Sequence, residues 1–173
     1  MGTPTGGSPE GGAGRKGDPA RYPGRLPGIL ETLAMASGPG ERAEMLVDLA
    51  GRFKEVPPEI ARRPFADEHR IPACESDAYA WGVLQADGGL KLYFAVENPS
   101  GVSAKALAVV LDRGLSGLPP QQVATVSTDL VEDVFRANIS MGKGLGLMSM
   151  VRAVAAIARQ AAAQGPAPGA GPA

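Results

Sequence analysis

One stretch of this chain alternates like a pair of β-strands, and the apolar residues on either side of it repeat with helical spacing. Leu90, Leu92, Phe94 and Val96 alternate with Lys91, Tyr93 and Ala95, and just before them Tyr79, Trp81 and Val83 share one side. Asp87-Gly88-Gly89 lies between the two runs and predicts a tight hairpin turn, because glycine accepts positive φ at little cost. Helices, then one hairpin, then helices again predict an α+β domain: a small antiparallel sheet flanked by helices.

The leading helices follow from periodicity. Leu26, Ile29, Leu30 and Leu33 predict a short helix over 26–36, broken by Gly38-Pro39-Gly40. Met45, Leu46, Leu49 and Phe53 predict a second over 41–54, with Glu41, Arg42, Glu44, Asp48 and Arg52 turned to water. Pro57-Pro58 ends it, and 59–72 reads mostly as loop. After the hairpin, Leu107, Val110 and Leu111 predict a helix over 104–113, capped by Ser100 or Ser103 and stopped by Gly114. Shorter helices fit 119–124, opened by prolines, and 129–137, capped by Thr128 or Asp129. A last one over 144–163 is alanine-rich, with Leu147, Met150, Val151, Val154 and Ile157 inward. There is no internal repeat.

Glycine and proline crowd the two ends. Residues 1–25 carry almost no apolar side chains and are expected to be a disordered tail, as are 165–173, which leaves 26–164 as the folded domain. A formal net charge of −1 gives the whole molecule no pull toward nucleic acid or a membrane surface. No secretory signal opens the chain, and no charge-free run approaches the length of a membrane span. The one cysteine excludes an intramolecular disulfide and fits a reducing compartment, so the cytoplasm is the expected location.

Most catalytic constellations are missing. One His and one Cys cannot close a zinc site, no nucleophile elbow or phosphate loop is present, and no carboxylate pair stands out. Gly142, Gly144 and Gly146 lack the spacing of a dinucleotide fingerprint. Cys74 remains, in His69-Arg70-Ile71-Pro72-Ala73-Cys74-Glu75-Ser76, a loop leading to the first strand where another protein can reach a thiol. A thiolate there could take sulfur from a donor persulfide, with Arg70, Lys143 or His69 as candidate cations beside it. The local pattern leaves two other readings open: a small buried apolar side chain, or a redox-sensing thiol. Trp81, Tyr79 and the Met141, Met148 and Met150 group read as packing.

The ordered region resembles the SufE family of cysteine desulfuration proteins along nearly its whole length. The family's cysteine motif runs Val-x-Gly-Cys, then Gln or Thr, then Ser; here it is Ile71-Pro72-Ala73-Cys74-Glu75-Ser76. The run Ser103-Ala104-Lys105-Ala106-Leu107-Ala108-Val109-Val110 is similar to the family's third helix. Leu118-Pro119-Pro120-Gln121-Gln122-Val123 resembles its Thr-Pro-x-x-Ile/Val segment. Gly142-Lys143-Gly144-Leu145-Gly146-Leu147-Met148 resembles the Ser-Arg-x-x-Gly signature before its last helix. Three departures stand out. Ala73 replaces a glycine, so a positive φ there would be strained; Glu75 replaces a neutral side chain; Lys143 replaces an arginine and cannot fork its contacts.

What the resemblance implies is a compact domain like the IscU scaffold, with the cysteine at the tip of a mobile loop. It implies that Cys74 is the persulfide-forming acceptor, with Lys143 and Glu97 as candidate charged neighbours of the loop. It implies a PLP-dependent cysteine desulfurase as donor and stimulated partner, and an Fe–S scaffold or other sulfur acceptor as recipient. PLP is expected only in that partner, with no cofactor and no metal here. Neither nucleic acid nor a membrane is an expected partner, and a homodimer is left open. The alternative is a regulatory partner of a desulfurase that carries no sulfur.

Overall fold

The computed structural model of the chain describes residues 15 and 17–165. Its element order is α1 (Leu26–Ala34), α2 (Pro39–Gly51), β1 (Ala78–Leu84), β2 (Leu90–Val96), α3 (Val102–Leu115), α4 (Pro120–Val123), α5 (Asp129–Phe135) and α6 (Met141–Gln164). This is the expected α+β architecture, with helices packed around a single antiparallel hairpin. Helix ends move from their expected positions by one to three residues, chiefly because the backbone enters a helix before the first core contact.

The hairpin pairs Ala78 with Val96 through Leu84 with Leu90. Gly88 takes φ 87°, and the Asp87 carboxylate accepts the Gly89 N–H at 2.9 Å. The two faces of the hairpin bury different things. Ala78 and Ala80 of β1, with Leu90, Leu92, Phe94 and Val96 of β2, face the main core. Small residues on β1 let α6 lie close: a Cβ at Gly82 would stand 2.3 Å from Ile157 Cγ2. Tyr79, Trp81, Tyr93 and Ala95 face the other way, where Val56, Ile60 and Phe65 of the preceding segment cover them. The 59–72 stretch is irregular, as expected, and serves as that cover.

The expected boundary of the N-terminal tail at 25 needs correction. Pro19–Arg21 form a 3-10 turn, and Tyr22 is only 5% exposed within the core. Arg21 bonds Asp129 and Asp133 of α5, and the Tyr22 hydroxyl donates to Asp133 at 2.6 Å. One aromatic side chain and one guanidinium hold this strap, too few residues to register in composition. The rest of the expected tails, 1–14, 16 and 166–173, lies outside the described residues.

Burial, then the Asp133 carboxylate, push the Tyr22 phenol well above its ordinary value. A raised folded-state value favours the protonated phenol. Its contribution is complete below the ordinary tyrosine pKa of about 10 and is lost as pH climbs through the folded value. Urea midpoints measured between about pH 9 and 11 should therefore fall more steeply for the natural chain than for Tyr22→Phe. Parallel slopes would mean that Asp133 does not hold the phenol proton.

Arg42 is a second correction. Expected on the wet side of α2, it is 4% exposed and donates to Val134 C=O at 2.8 Å and Leu33 C=O at 2.9 Å. Those carbonyls lie in the last turns of α5 and α1, where helices leave acceptors unsatisfied and favour positive charge.

Candidate functional site

The chain approaches Cys74 along the edge of the sheet. Ile71, fully buried, donates its N–H to Ala78 C=O at 2.8 Å, and Arg70 bridges to Tyr79. From that anchor the backbone turns back on itself through 72–77. Asp77 N–H donates to Cys74 C=O at 3.2 Å. Beyond the turn, Glu97 N–H donates to Asp77 C=O at 3.1 Å and Asn98 N–H to Ser76 C=O at 3.2 Å. The side chains of Arg70 and Asp77 pair across its base.

Two residues of this turn sit in the left-handed region, Ala73 at φ 57° and Asp77 at φ 46°. For a residue with a Cβ this costs on the order of 1 kcal/mol each. The strain expected from alanine at a glycine position is therefore present. The turn is anchored at both ends and strained between them.

Cys74 is half-buried and packs against the main core from the tip of this turn. Beside it lies a pocket of about 180 Å³, lined by Cys74, Glu75 and Ser76, by 98–104 except Pro99, and by Gly142, Lys143, Gly146 and Leu147. Two helices begin here. Gly101 precedes α3 without a side-chain cap, and Ser140 caps α6 by accepting the Lys143 N–H. Free first-turn amides and the positive ends of both helix dipoles thus meet at one spot, which favours negative charge. Lys143, exposed on the rim, adds a cation with no carboxylate partner among the described residues.

Glycine makes this convergence possible. A Cβ on Gly146 would stand 2.9 Å from the Ala73 carbonyl oxygen and 3.4 Å from Cys74 Cα, so α6 can pass beneath the turn only without a side chain there. Backbone, not a pliable side chain, is what such a Cβ would meet. Gly146→Val should therefore lift the turn, at a cost of about 1 kcal/mol in stability. Cys74 should then react several-fold faster with a bulky maleimide, followed by intact mass against time. An unchanged alkylation rate would show that contact with α6 does not shelter the thiol.

Of the residues expected at the site, Cys74 and Lys143 come together at the pocket. Glu97 does not. Its carboxylate turns to the opposite side and bonds Arg63 Nε at 3.1 Å, and Arg63 also grips Glu55. The two glutamates hold the Arg63 guanidinium above its ordinary value. Arg70 is spent on Asp77, and His69 lies against Trp81 with ring centroids 5.2 Å apart. Neither lines the pocket. Asn98, Ser100 and Ser103 do, and the sequence marked only the two serines, as caps. Asn98 Oδ1 accepts the Ser100 N–H at 2.9 Å, so the side chain shapes the loop that opens α3. The cluster Asn98-Pro99-Ser100-Gly101 was the available signal, since such residues mark a built turn. Among the described residues, no group of three or more His, Cys, Asp or Glu could hold a metal ion.

Comparison with known proteins bears on the family and the fold. Residues 28–158 match the family model of SufE, an Fe-S metabolism associated domain. The solution structure of a hypothetical protein from Thermus thermophilus aligns with a TM-score of 0.64 at 22% identity, covering 82% of this chain and 98% of that one. At such identity the likeness speaks for the fold alone. No curated protein matches the chain significantly.

Proposed function

The chain belongs to the SufE family, and from that membership together with the Cys74 pocket we propose that it accepts sulfur for iron–sulfur cluster assembly. The family ties it to iron–sulfur metabolism; the role of carrier is our reading of the site.

In that reading the donor is a PLP-dependent cysteine desulfurase bearing a persulfide on its own cysteine. The Cys74 thiolate attacks the outer sulfur of that persulfide. A new S–S bond forms at Cys74, the donor's S–S bond breaks, and the donor cysteine leaves as a thiolate. No external oxidant or reductant is needed, because the transferred sulfur keeps its oxidation level. The persulfide then passes by the same exchange to an Fe–S scaffold or other acceptor. We place this exchange in the cytoplasm, where a lone thiol stays reduced.

The observation that carries the reading is the position of Cys74: half-sheltered, on a strained turn anchored at both ends, over a small pocket where two helices begin. A persulfide is an anion at neutral pH and is easily lost to solvent thiols. A pocket that favours negative charge and is only partly open would hold one between donor and recipient. Its size suits a sulfur atom and a few waters rather than a cofactor, since ligand pockets run to roughly 300 Å³ or more. PLP and the chemistry that releases sulfur from cysteine belong to the donor. The turn must lift to meet the donor and settle again afterwards, a gating step of the ordinary kind.

Intact-mass measurement after incubation with desulfurase and free cysteine tests the reading. One sulfur atom should be gained per chain and removed by a reducing thiol. A wild-type chain that gains none under desulfurase turnover ends it.

A further inference from the structure

Helix α6 is apolar enough to be covered on more than the side the fold covers. Its most apolar 18-residue window has a mean hydropathy of 1.3, which by length and composition alone would suit a membrane span, yet only 44% of that window is buried. The buried side packs on β1, α4 and α5. The other side carries Met141 and Leu145, 88% and 58% exposed, followed by Arg152, Ala156 and Arg159. Steps of four, seven, four and three residues put these five on one helical face.

That face has one sign of charge. Residues 141–164 include no Asp or Glu. Arg152 and Arg159, the cations of this face, meet no carboxylate among the described residues. Surface helices usually mix both signs and pair them at three- and four-residue spacing. The face also has a definite place. It borders a groove between α6 and the 68–72 segment lined by Glu68, Arg70, Pro72, Arg152 and Ala156, which reaches to within two residues of Cys74.

We propose that this face of α6 is the docking surface for the sulfur donor, met by an acidic patch on that enzyme. The proposal rests on the reading of Cys74 as a sulfur acceptor. Attack of one sulfur on another requires contact, so a donor must cover the Cys74 turn, and the groove beside the α6 face leads to that turn through Pro72. Unpaired Arg152 and Arg159, on one face with exposed Met141 and Leu145, give an acidic partner both steering and an apolar anchor. A second copy of the same face would bring cation against cation, which disfavours self-association through it.

The test uses the full chain and purified PLP-dependent cysteine desulfurases of the source organism, with affinity measured at low and moderate salt. The double variant Arg152→Glu/Arg159→Glu changes two exposed side chains away from Cys74. It should bind the cognate desulfurase at least tenfold more weakly, and wild-type binding should weaken with salt much more than the variant's. Sulfur uptake by Cys74 from a low-molecular-weight persulfide should be unchanged. Wild-type affinity in the double variant overturns the docking surface and leaves the sulfur-acceptor reading standing. A wild-type chain that neither binds a desulfurase nor gains sulfur overturns both. If charge reversal abolishes binding to vesicles of anionic phospholipid but spares the desulfurase, the face serves a membrane surface and the proposal falls.

Discussion

Serine in place of Cys74 should abolish sulfur uptake, by at least a hundredfold in rate, while leaving the fold and donor binding in place. The substitution exchanges one atom at a half-buried position. The hydroxyl can reach water through the pocket mouth, so its burial should cost no more than about 1 kcal/mol. The loss of chemistry is complete for a simple reason: an alcohol cannot form the S–S bond, and the chain has no second cysteine to substitute. Desulfurase turnover measured by alanine release separates the alternatives. A carrier predicts that Cys74→Ser binds the enzyme yet fails to stimulate it, because the donor's persulfide has no acceptor. Stimulation equal to wild type would instead identify a regulator that carries no sulfur. Rapid oxidation of the thiol by low peroxide, without any response to a desulfurase, would identify a redox sensor.

What the sequence shows of this molecule divides along the range of the interactions involved. The hairpin was legible because alternation is local: each strand's two faces can be read in seven residues, and Gly88 marks the turn. The helices were legible for the same reason. The strap at 17–25 was not, because Arg21 and Tyr22 find their partners more than a hundred residues away, at Asp129 and Asp133. Glu97 shows the same limit at the site. Its backbone does touch the Cys74 turn, as its place in the chain suggested, but a strand end can send the side chain either way and Arg63 claims it. Lys143 was one of three cations that could stand beside Cys74, and only the resemblance to SufE proteins singled it out, since nothing local ties a loop at 74 to a helix start at 143. The strain at Ala73, by contrast, could be read in advance from a glycine's absence. The proposed docking face was hidden in plain composition. An alanine-rich helix reads as core, and only the fold reveals that half of it is left uncovered.

Replacing Arg42 by methionine should lower the stability of the whole domain by about 3 kcal/mol, more than any surface change in the molecule. Methionine keeps most of the length and apolar volume, so cavity formation contributes little. What is lost is a charged fork between two carbonyls: Val134 C=O is left without its donor in a buried setting, while Leu33 C=O loses a charge-assisted bond and keeps the Ala36 N–H at 3.3 Å. An unsatisfied buried acceptor costs roughly 1–3 kcal/mol and a lost bond to a charged group about 1.5–3 kcal/mol, and one of each accounts for the figure. Burial first, and then the nearby charge of Arg136, already press the Arg42 guanidinium below its ordinary value. Its stay in the interior is therefore maintained by those carbonyls and by the helix ends they terminate. For a chain of this length the loss corresponds to a fall of about 10 °C in Tm. Arg42→Lys should fall between the two, because an ammonium cannot reach both carbonyls with the planar geometry of guanidinium. The effect should also travel to the site. The end of α5 leads through Arg136, held at φ 49°, to Ser140 and the start of α6, which forms one wall of the Cys74 pocket. Loosening that end should raise the alkylation rate of Cys74 at temperatures well below the new Tm. A variant that melts with the wild type would show that water satisfies the Val134 carbonyl and that Arg42 fills space without fastening the helices.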